Sequence, residues 1–379
     1  MIKPAHFLLN AILLPCVLLL FCGAAPVSCP AKSRTAPAVQ APAPAATEVP
    51  AAAETPAVQA PAATEVPAAA ETPVPETSAP AAITAARAAV LNANPGPGEP
   101  FAVALVLPPE LKPDPAAPVR ALLLDNAGRR AARASFFSVD EDRADGALIM
   151  AALLAVPSTM RSGQAAVRIE GLSSLVLEDL PVTVGKREFL SETIDLDARN
   201  TAIRTEPDPQ KTGEAEQLQA ILGRTGTRVY TEGAFVPPVT STRRTSFYGD
   251  RRIYRYTDGS TGTSIHAGVD YGVPAGTRVS ACAPGRVVLA RFRIVTGNSV
   301  VIEHLPGVYS IYYHLDSIAV REDDLVVTGT ILGESGATGL ATGPHLHWEI
   351  RVSGENADPD ALTARPLLDK NEIIAKLFQ

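Results

Sequence analysis

The sequence predicts an all-β chain, with a β-sandwich in its middle part and further β-strands near its C-terminus. Between residues 85 and 188, short apolar stretches alternate with turn clusters rich in Gly, Pro, Asn and Asp, which is the pattern of a sandwich. Nearer the C-terminus, Tyr309–His314 and Leu346–Val352 have the composition of strands. The five apolar stretches of the predicted sandwich are Phe101–Leu107, Val119–Leu124, Leu148–Val156, Ala165–Ile169 and Leu180–Val184.

Length, charge and cysteine content restrict the class of protein. A chain of 379 residues exceeds what one hydrophobic core usually supports, so we expect two or three domains. Its 33 Lys and Arg residues are outnumbered by 40 Asp and Glu residues, and the net charge of −7 argues against a nucleic-acid-binding protein. Four Cys residues are too few for a disulfide-stabilised scaffold of this length.

Residues 1–29 have the pattern of an export signal. Lys3 and His6 precede the apolar run Phe7–Ala25, and small residues follow it. This order of charged, apolar and small segments predicts a secretory signal peptide. We therefore expect an exported protein that is located in the periplasm or the cell envelope.

Three fates of this signal remain open. Residues 26–29 resemble a bacterial lipobox, in which Cys29 would carry lipid and become the first residue, although Pro26 stands where an aliphatic residue is usual. The second fate is cleavage near Ala25, and the third is retention as a membrane anchor, despite Pro15 within the apolar run. Membrane anchoring is thus expected through a lipid on Cys29 or through the apolar segment, unless cleavage removes both.

Residues 30–84 predict an extended tether. They consist almost entirely of Ala, Pro, Thr, Glu, Val and Gln, and segment 38–56 recurs as segment 57–73 with one Ala-Pro pair fewer. Frequent Pro and the lack of large side chains prevent such a segment from burying a core. In a polyproline-II conformation it would span on the order of 150 Å, at ~3.1 Å per residue. It is either a spacer toward a distant target or a passive linker.

Residues 85–188 are predicted to form an immunoglobulin-like β-sandwich and residues 189–239 a connector. The sandwich region contains no His, no Cys and no carboxylate pair with catalytic spacing, which favours a positioning role over a ligand-binding one. The connector is more polar, and Glu214–Leu222, followed by Gly223, predicts a short helix. The connector either bridges two β domains or lies across the groove of the last one.

The residues capable of chemistry lie in the last predicted domain, residues 240–379. His266 and Asp270 are four residues apart, and His345 and His347 begin a predicted strand, where residues i and i+2 share a face. Two His and one Asp would form a three-ligand set with room for water, as in catalytic zinc sites. Further His residues would transfer protons and hold an oxyanion. Five of the six His residues lie in this domain: His266, His304, His314, His345 and His347.

Six motifs occur in order at residues 246–252, 264–277, 283–287, 297–304, 312–315 and 336–350. On these motifs, residues 240–365 resemble the lysostaphin-type, or LytM-domain, zinc endopeptidases, in which the same order is found. This resemblance implies a compact antiparallel β-sheet with a long groove bounded by loops. The implied substrate is the peptide part of bacterial peptidoglycan.

The resemblance also implies a role for each polar residue of the site. His266, Asp270 and His347 match the ligands of one Zn²⁺ ion, and His314 and His345 match the catalytic pair that activates water and stabilises the tetrahedral intermediate. Some members of the family have lost ligands and only activate other wall hydrolases. This chain keeps every ligand and both catalytic His residues.

The remaining polar and small residues of this domain have predicted structural roles. His304 matches a family position that is not a ligand, and we expect it to be structural. Cys282 is expected to be a buried free thiol, because the other Cys residues lie in the signal region. A tight loop that sets His345 in place is predicted from Gly336, Gly339 and Gly343.

These observations predict an exported, zinc-dependent endopeptidase that hydrolyses peptide bonds in peptidoglycan stems or cross-bridges by a metal-activated water. The alternative is a catalytically silent wall-binding protein that activates a separate amidase. A third hypothesis is a zinc peptidase acting on proteins, which the tether favours less because a soluble substrate needs no long reach.

Overall fold

The computed structural model describes residues 85–114, 117–140, 143–172 and 175–378, which belong to one compact unit. The predicted signal peptide, lipidated Cys29 and tether lie outside these residues. Within the described ranges, no helix has both the length and the apolar character that crossing a membrane requires.

Two antiparallel four-stranded sheets form the sandwich, and they enclose a common apolar core. All five apolar stretches predicted as strands are strands. The first sheet has the order β1 (Arg87–Leu91), β2 (Pro100–Leu107), β6 (Leu148–Ala155) and β5 (Phe137–Asp140). The second has the order β4 (Arg130–Ser135), β3 (Arg120–Leu124), β7 (Gly163–Glu170) and β8 (Leu180–Val184).

Strands β2 and β6 are buried on both faces. Phe101, Val103 and Leu105 face the second sandwich sheet, whereas Ala102 and Ala104 face away from it and join the core of the C-terminal part. This explains why both strands are apolar without alternation. The small Ala side chains on the second face allow close packing, so the sandwich and the C-terminal part share one hydrophobic core.

The C-terminal part is built on one ten-stranded, antiparallel sheet. Its central strands are ordered β10 (Arg244–Ser246), β13 (Gly268–Tyr271), β20 (Leu346–Val352), β17 (Val308–Ile318), β16 (Gly297–Leu305), β15 (Gly285–Arg293) and β18 (Leu325–Val326). Its margins are completed by β14 (Arg278–Ser280), β19 (Ile331–Ser335) and β21 (Glu355–Ala357). Two helices follow it or pack beside it, α3 (Pro359–Ala364) and α4 (Lys370–Phe378).

A three-stranded sheet joins the connector to the C-terminal part. The connector supplies β9 (Ser191–Asp195), which pairs in parallel with β11 (Arg251–Arg255), and β12 (Thr261–Ile265) completes the sheet. Two helices follow β9, α1 (Ala198–Thr205) and α2 (Pro209–Leu222). The predicted helix at Glu214–Leu222 is confirmed within α2, which starts earlier because Asp208 caps its first turn and Pro209 suits its first position.

His304 lies in a fully buried polar cluster below the sheet. Its Nδ1 is 2.7 Å from the carbonyl oxygen of Pro284, and its Nε2 is 2.7 Å from Ser310 Oγ. The thiol of Cys282 lies 3.7 Å from the same Nε2, and it is free and buried as predicted. Burial lowers the pKa of His304 from 6.5 to about 4, and burial also raises that of Cys282 to about 11.

We expect His304 to make the fold sensitive to mild acid. Because its pKa is depressed in the folded state, the unfolded chain binds a proton more readily. This contribution to stability is complete above pH 6.5 and is lost as the pH falls toward 4, with about 2 kcal/mol lost between pH 7 and pH 5. Urea unfolding of the full-length chain at both pH values measures the loss. In a His304→Gln variant, the loss of unfolding free energy between pH 7 and pH 5 should be smaller by this amount. An identical loss in both proteins would contradict the prediction.

Candidate metal centre and catalytic groove

Three of the predicted site residues bring their donor atoms to one point. Asp270 on β13 and His347 on β20 are direct cross-strand partners, and His266 lies in the short turn between β12 and β13. His266 Nε2 is 3.1 Å from Asp270 Oδ1 and 3.0 Å from His347 Nδ1, and His347 Nδ1 is 2.8 Å from Asp270 Oδ1. All three side chains are buried.

Polar partners on the far side of each imidazole direct a nitrogen toward this point. His266 Nδ1 lies 2.8 Å from the carbonyl oxygen of Phe247, so this nitrogen donates and Nε2 keeps its lone pair for the cluster. His347 is reversed: its Nε2 lies 3.5 Å from Glu349 Oε2, and Nδ1 faces the cluster. Two imidazole nitrogens and one carboxylate oxygen, each with an outer partner, fit a divalent metal of the zinc type.

Asp270 is oriented by a buried chain of charged groups. Its Oδ2 lies 2.5 Å from Arg252 Nη2, which leaves Oδ1 for the cluster. Arg252 Nε in turn lies 2.6 Å from an oxygen of Glu192 on the connector strand β9. Burial alone would raise the pKa of Asp270, but the hydrogen bonds from His266 and His347 hold it well below its usual value. The carboxylate is therefore ionised at neutral pH.

The two His ligand candidates differ in their affinity for protons. Burial lowers the pKa of His266 despite its contact with Asp270. Burial acts in the same direction on His347, but Asp270 and Glu349 outweigh it and raise the pKa of His347 to about 9. A metal ion must therefore displace a proton from His347 when it binds at neutral pH.

His314 and His345, the predicted catalytic pair, lie beside this cluster. Their ring centroids are 4.7 Å apart, and His345 Nε2 is 4.0 Å from Asp270 Oδ1. Each Nδ1 is 2.8 Å from a backbone carbonyl oxygen, that of Thr338 for His314 and that of Gly343 for His345. Each ring therefore points its Nε2 away from the backbone, and both rings line the same cavity as the cluster.

His314 has an unusual backbone conformation. The sequence predicted that His314 ends a strand, but β17 continues to Ile318, and His314 lies within it with a φ of 62°. A left-handed residue inside a strand costs free energy and is common at functional sites. Burial and the neighbouring His345 and His347 lower the pKa of His314 to about 3, so its imidazole is neutral at physiological pH.

The cavity has a volume of about 240 Å³ and contains all five predicted site residues, whereas His304 lies elsewhere. One wall is the three-stranded sheet, which presents Tyr254 and Ser264 from β11 and β12. The connector contributes to the same wall through Ile194, Leu196 and Arg204. The connector is thus part of the groove.

Sequence reasoning missed the outer partners of the cluster. Glu349 was predictable, because it follows His347 by two residues and so shares its face of β20. Arg252 ends the motif at residues 246–252, but no role was predicted for it. Glu192 carries no comparable signal, since its role depends on the parallel pairing of β9 with β11.

Glycines shape the loop that precedes His345. Gly336 forms an isolated bridge with His345, and a side chain on Gly336 would collide with that of Asp316. Gly339 has a φ of 75°, and a side chain there would collide with neighbouring backbone atoms. Gly343 has open space around it. The structure therefore requires glycine at two of the three predicted positions.

Comparisons with known proteins place residues 264–359 within the model described as Peptidase family M23. The DD-carboxypeptidase/endopeptidase Mpg of Neisseria meningitidis serogroup B is 36% identical over 129 residues, which are 34% of this chain and 29% of that protein. The peptidoglycan DD-endopeptidase ShyB of Vibrio cholerae serotype O1 is 40% identical over 99 residues, which are 26% of this chain and 23% of that protein. A crystal structure from Pseudomonas aeruginosa, provisionally assigned to peptidase M23, covers 75% of this chain and 96% of its own, at 22% identity and a TM-score of 0.46.

Residues 264–359 are therefore similar to peptidase family M23, which confirms the resemblance predicted from the motifs. The similarity spans less than a third of the length of these two curated relatives. The family model does not reach the sandwich, whose immunoglobulin-like character stays a prediction.

We expect Gly339→Ala to disturb the groove. The left-handed φ and the collision with backbone atoms should lower the free energy of unfolding by about 1–3 kcal/mol and shift the Thr338 carbonyl that holds His314. Gly343→Ala is the matched control, and its stability should stay within about 0.5 kcal/mol of the original chain. Chemical denaturation of both variants measures the difference, and equal stabilities would contradict the prediction.

We also expect Glu349→Gln to weaken metal binding. The substitution removes the negative charge that faces His347 Nε2, and loss of such an outer partner typically reduces metal affinity by about 10–100-fold. Competition with a chromogenic chelator at fixed pH measures the affinity. Glu334→Gln, at an exposed position of β19, serves as the control and should bind metal like the original chain. Equal affinities of all three proteins would show that Glu349 does not act on the metal.

Proposed function

We propose that this chain is a zinc-dependent endopeptidase that hydrolyses peptide bonds in bacterial peptidoglycan. One observation carries the proposal: three buried donor atoms, from His266, Asp270 and His347, converge within about 3 Å of one another beside two further imidazoles. His314 and His345 complete a set that contains both a metal site and groups for proton transfer.

The ligand set supports zinc as the metal. Two imidazoles and one carboxylate leave a coordination position for water, which is the composition of catalytic rather than structural zinc sites. When bound here, zinc would act as a Lewis acid that acidifies water and polarises the peptide carbonyl. Arg252 holds the second oxygen of Asp270, and Glu349 faces the second nitrogen of His347, so both ligands keep their orientation.

The His pair is suited to move a proton and to stabilise negative charge. His314 donates its Nδ1 hydrogen to the carbonyl oxygen of Thr338, so the lone pair of its Nε2 is available in the cavity, where it would accept a proton from the attacking water. His345 presents its Nε2 to the same cavity, and once this nitrogen carries a proton it donates to the developing oxyanion. His345 Nε2 lies 4.0 Å from Asp270 Oδ1 and is therefore close to the donor atoms of the cluster.

Three observations support peptidoglycan as the substrate and the cell envelope as the location. The curated relatives with the same kind of catalytic segment include proteins named peptidoglycan DD-endopeptidases. The N-terminal sequence has the pattern of an export signal, with Cys29 or the apolar segment as a membrane anchor. The Ala- and Pro-rich tether would let an anchored domain reach the wall.

A second candidate is a wall-binding protein that activates a separate amidase. The observation that favours it is the position of the connector, because β9 and α1 form one wall of the groove and could limit access to long substrates. The complete ligand set favours the endopeptidase over this candidate.

We expect the full-length chain, purified in mild detergent and loaded with zinc, to release new muropeptides from isolated sacculi. Mass spectrometry of the soluble fragments identifies the bond that is cut. Removal of the metal with a chelator should abolish release, and added zinc should restore it, because the reaction needs the Lewis acid. His314→Ala should lower the rate by at least about 100-fold while it retains zinc. A zinc-loaded chain that releases nothing would favour the amidase activator.

A further inference from the structure

Arg204 is a cation fixed in the wall of the groove. It lies near the end of α1, and its guanidinium carbon is 4.0 Å from the centre of the Tyr254 ring. Its Nε donates to Tyr256 Oη at 3.0 Å, and its Nη2 lies 3.4 Å from the carbonyl oxygen of Thr263. The stacking and the two hydrogen bonds hold the planar group in one orientation.

This guanidinium retains capacity to bind an anion. Arginine has five N–H donors, and the two contacts above occupy only two of them. Among the described residues, no carboxylate lies within ion-pair distance of Arg204, and its side chain is only half-buried. Three donors of a pre-oriented cation therefore remain available, and Arg204 lines the cavity.

The other charged groups of the cavity are already paired. Arg252 contacts both Asp270 and Glu192, and Glu349 pairs with Arg351. Among the residues that the structure describes, Arg204 is therefore the charged residue lining this cavity that has no ion-pair partner of opposite charge. A ligand that carries a carboxylate would complete the charge balance.

Helix α1 is well anchored to the opposite rim of the groove. Asp197 caps its N-terminus, and Asn200 Nδ2 donates to the carbonyl oxygen of Ala341 at 3.1 Å. Ala341 belongs to the loop that leads to His345, and both Ala341 and Arg204 line the cavity. The position of the cation is thus coupled to the loop that carries a catalytic residue.

We propose that Arg204 makes the groove selective for peptides with a free carboxylate next to the scissile bond. This inference rests on the proposed endopeptidase function and specifies its substrate class. The planar guanidinium would bind the carboxylate through two parallel N–H bonds. Bridges built only of uncharged residues such as glycine would lack this contact and would be poor substrates.

Two synthetic peptide dimers test the proposal. One has free carboxylates on the residues that flank the cross-linking amide, and in the other these carboxylates are carboxamides. The zinc-loaded full-length chain should prefer the first dimer by about tenfold or more in kcat/KM, mainly through a lower KM, because the contact already exists in the bound substrate. Arg204→Gln should reduce the preference to within about twofold.

Matched variants separate this role from a general loss of structure. Arg199→Gln removes an exposed charge from the same helix and should keep the full preference. Arg204→Lys keeps the positive charge but lacks the planar guanidinium, and it should retain part of the preference for the carboxylate dimer. Thermal unfolding of each variant reports on the fold. If the original chain cleaves both dimers equally well, the proposal is overturned and the endopeptidase function stands.

Binding measured by calorimetry tests the anion subsite separately from the endopeptidase proposal. If the original chain cleaves neither dimer, the endopeptidase proposal fails, and binding of both dimers to the same zinc-loaded chain is measured instead. Tighter binding of the carboxylate dimer by about tenfold, lost in Arg204→Gln, would support the anion subsite on its own. Equal binding of both dimers would overturn it.

Discussion

The pairing of β13 with β20 is the constraint on which the candidate site depends. It sets Asp270 directly opposite His347 in the interior of a ten-stranded sheet, where neither strand can shift without breaking hydrogen bonds on both sides. A slip by one residue would turn one of the two side chains to the opposite face. Gly268 allows this pairing, because any side chain there would collide with the backbone of Trp348.

The other charged residues around the site are consequences of that pairing. Once Asp270 and His347 are buried together, each needs an outer partner of opposite charge, since an unpaired buried ion is costly. Arg252 supplies it for Asp270 and Glu349 supplies it for His347. The contacts then extend from Arg252 to Glu192. They link the cluster of ligand candidates to strand β9, which lies more than seventy residues before Asp270 in the sequence.

Much of this arrangement could be predicted from the sequence, because the signals are local. The apolar stretches identified five sandwich strands, and motif order singled out five of the residues that line the cavity. A place for the connector across the groove was one of two predicted alternatives, but its strand β9 and the role of Glu192 could not be predicted, because a parallel strand pairing has no local signature and Glu192 resembles any surface carboxylate. The extension of β17 beyond His314 was also missed, since a positive φ at a His residue follows from tertiary contacts and not from residue type.

The parallel strand β9 determines which segment of this chain could be transferred to another protein with its candidate site intact. Exchange of domains between proteins preserves function when the junction crosses few hydrogen bonds, as in a flexible linker. A junction at residue 240 would leave β11 without its parallel neighbour and Arg252 without Glu192. A junction near residue 189 would keep both, but it would still expose the apolar surface of the C-terminal part that the Ala-lined face of β2 and β6 covers. Recombination at either point therefore carries a cost, and the natural unit of exchange includes the sandwich.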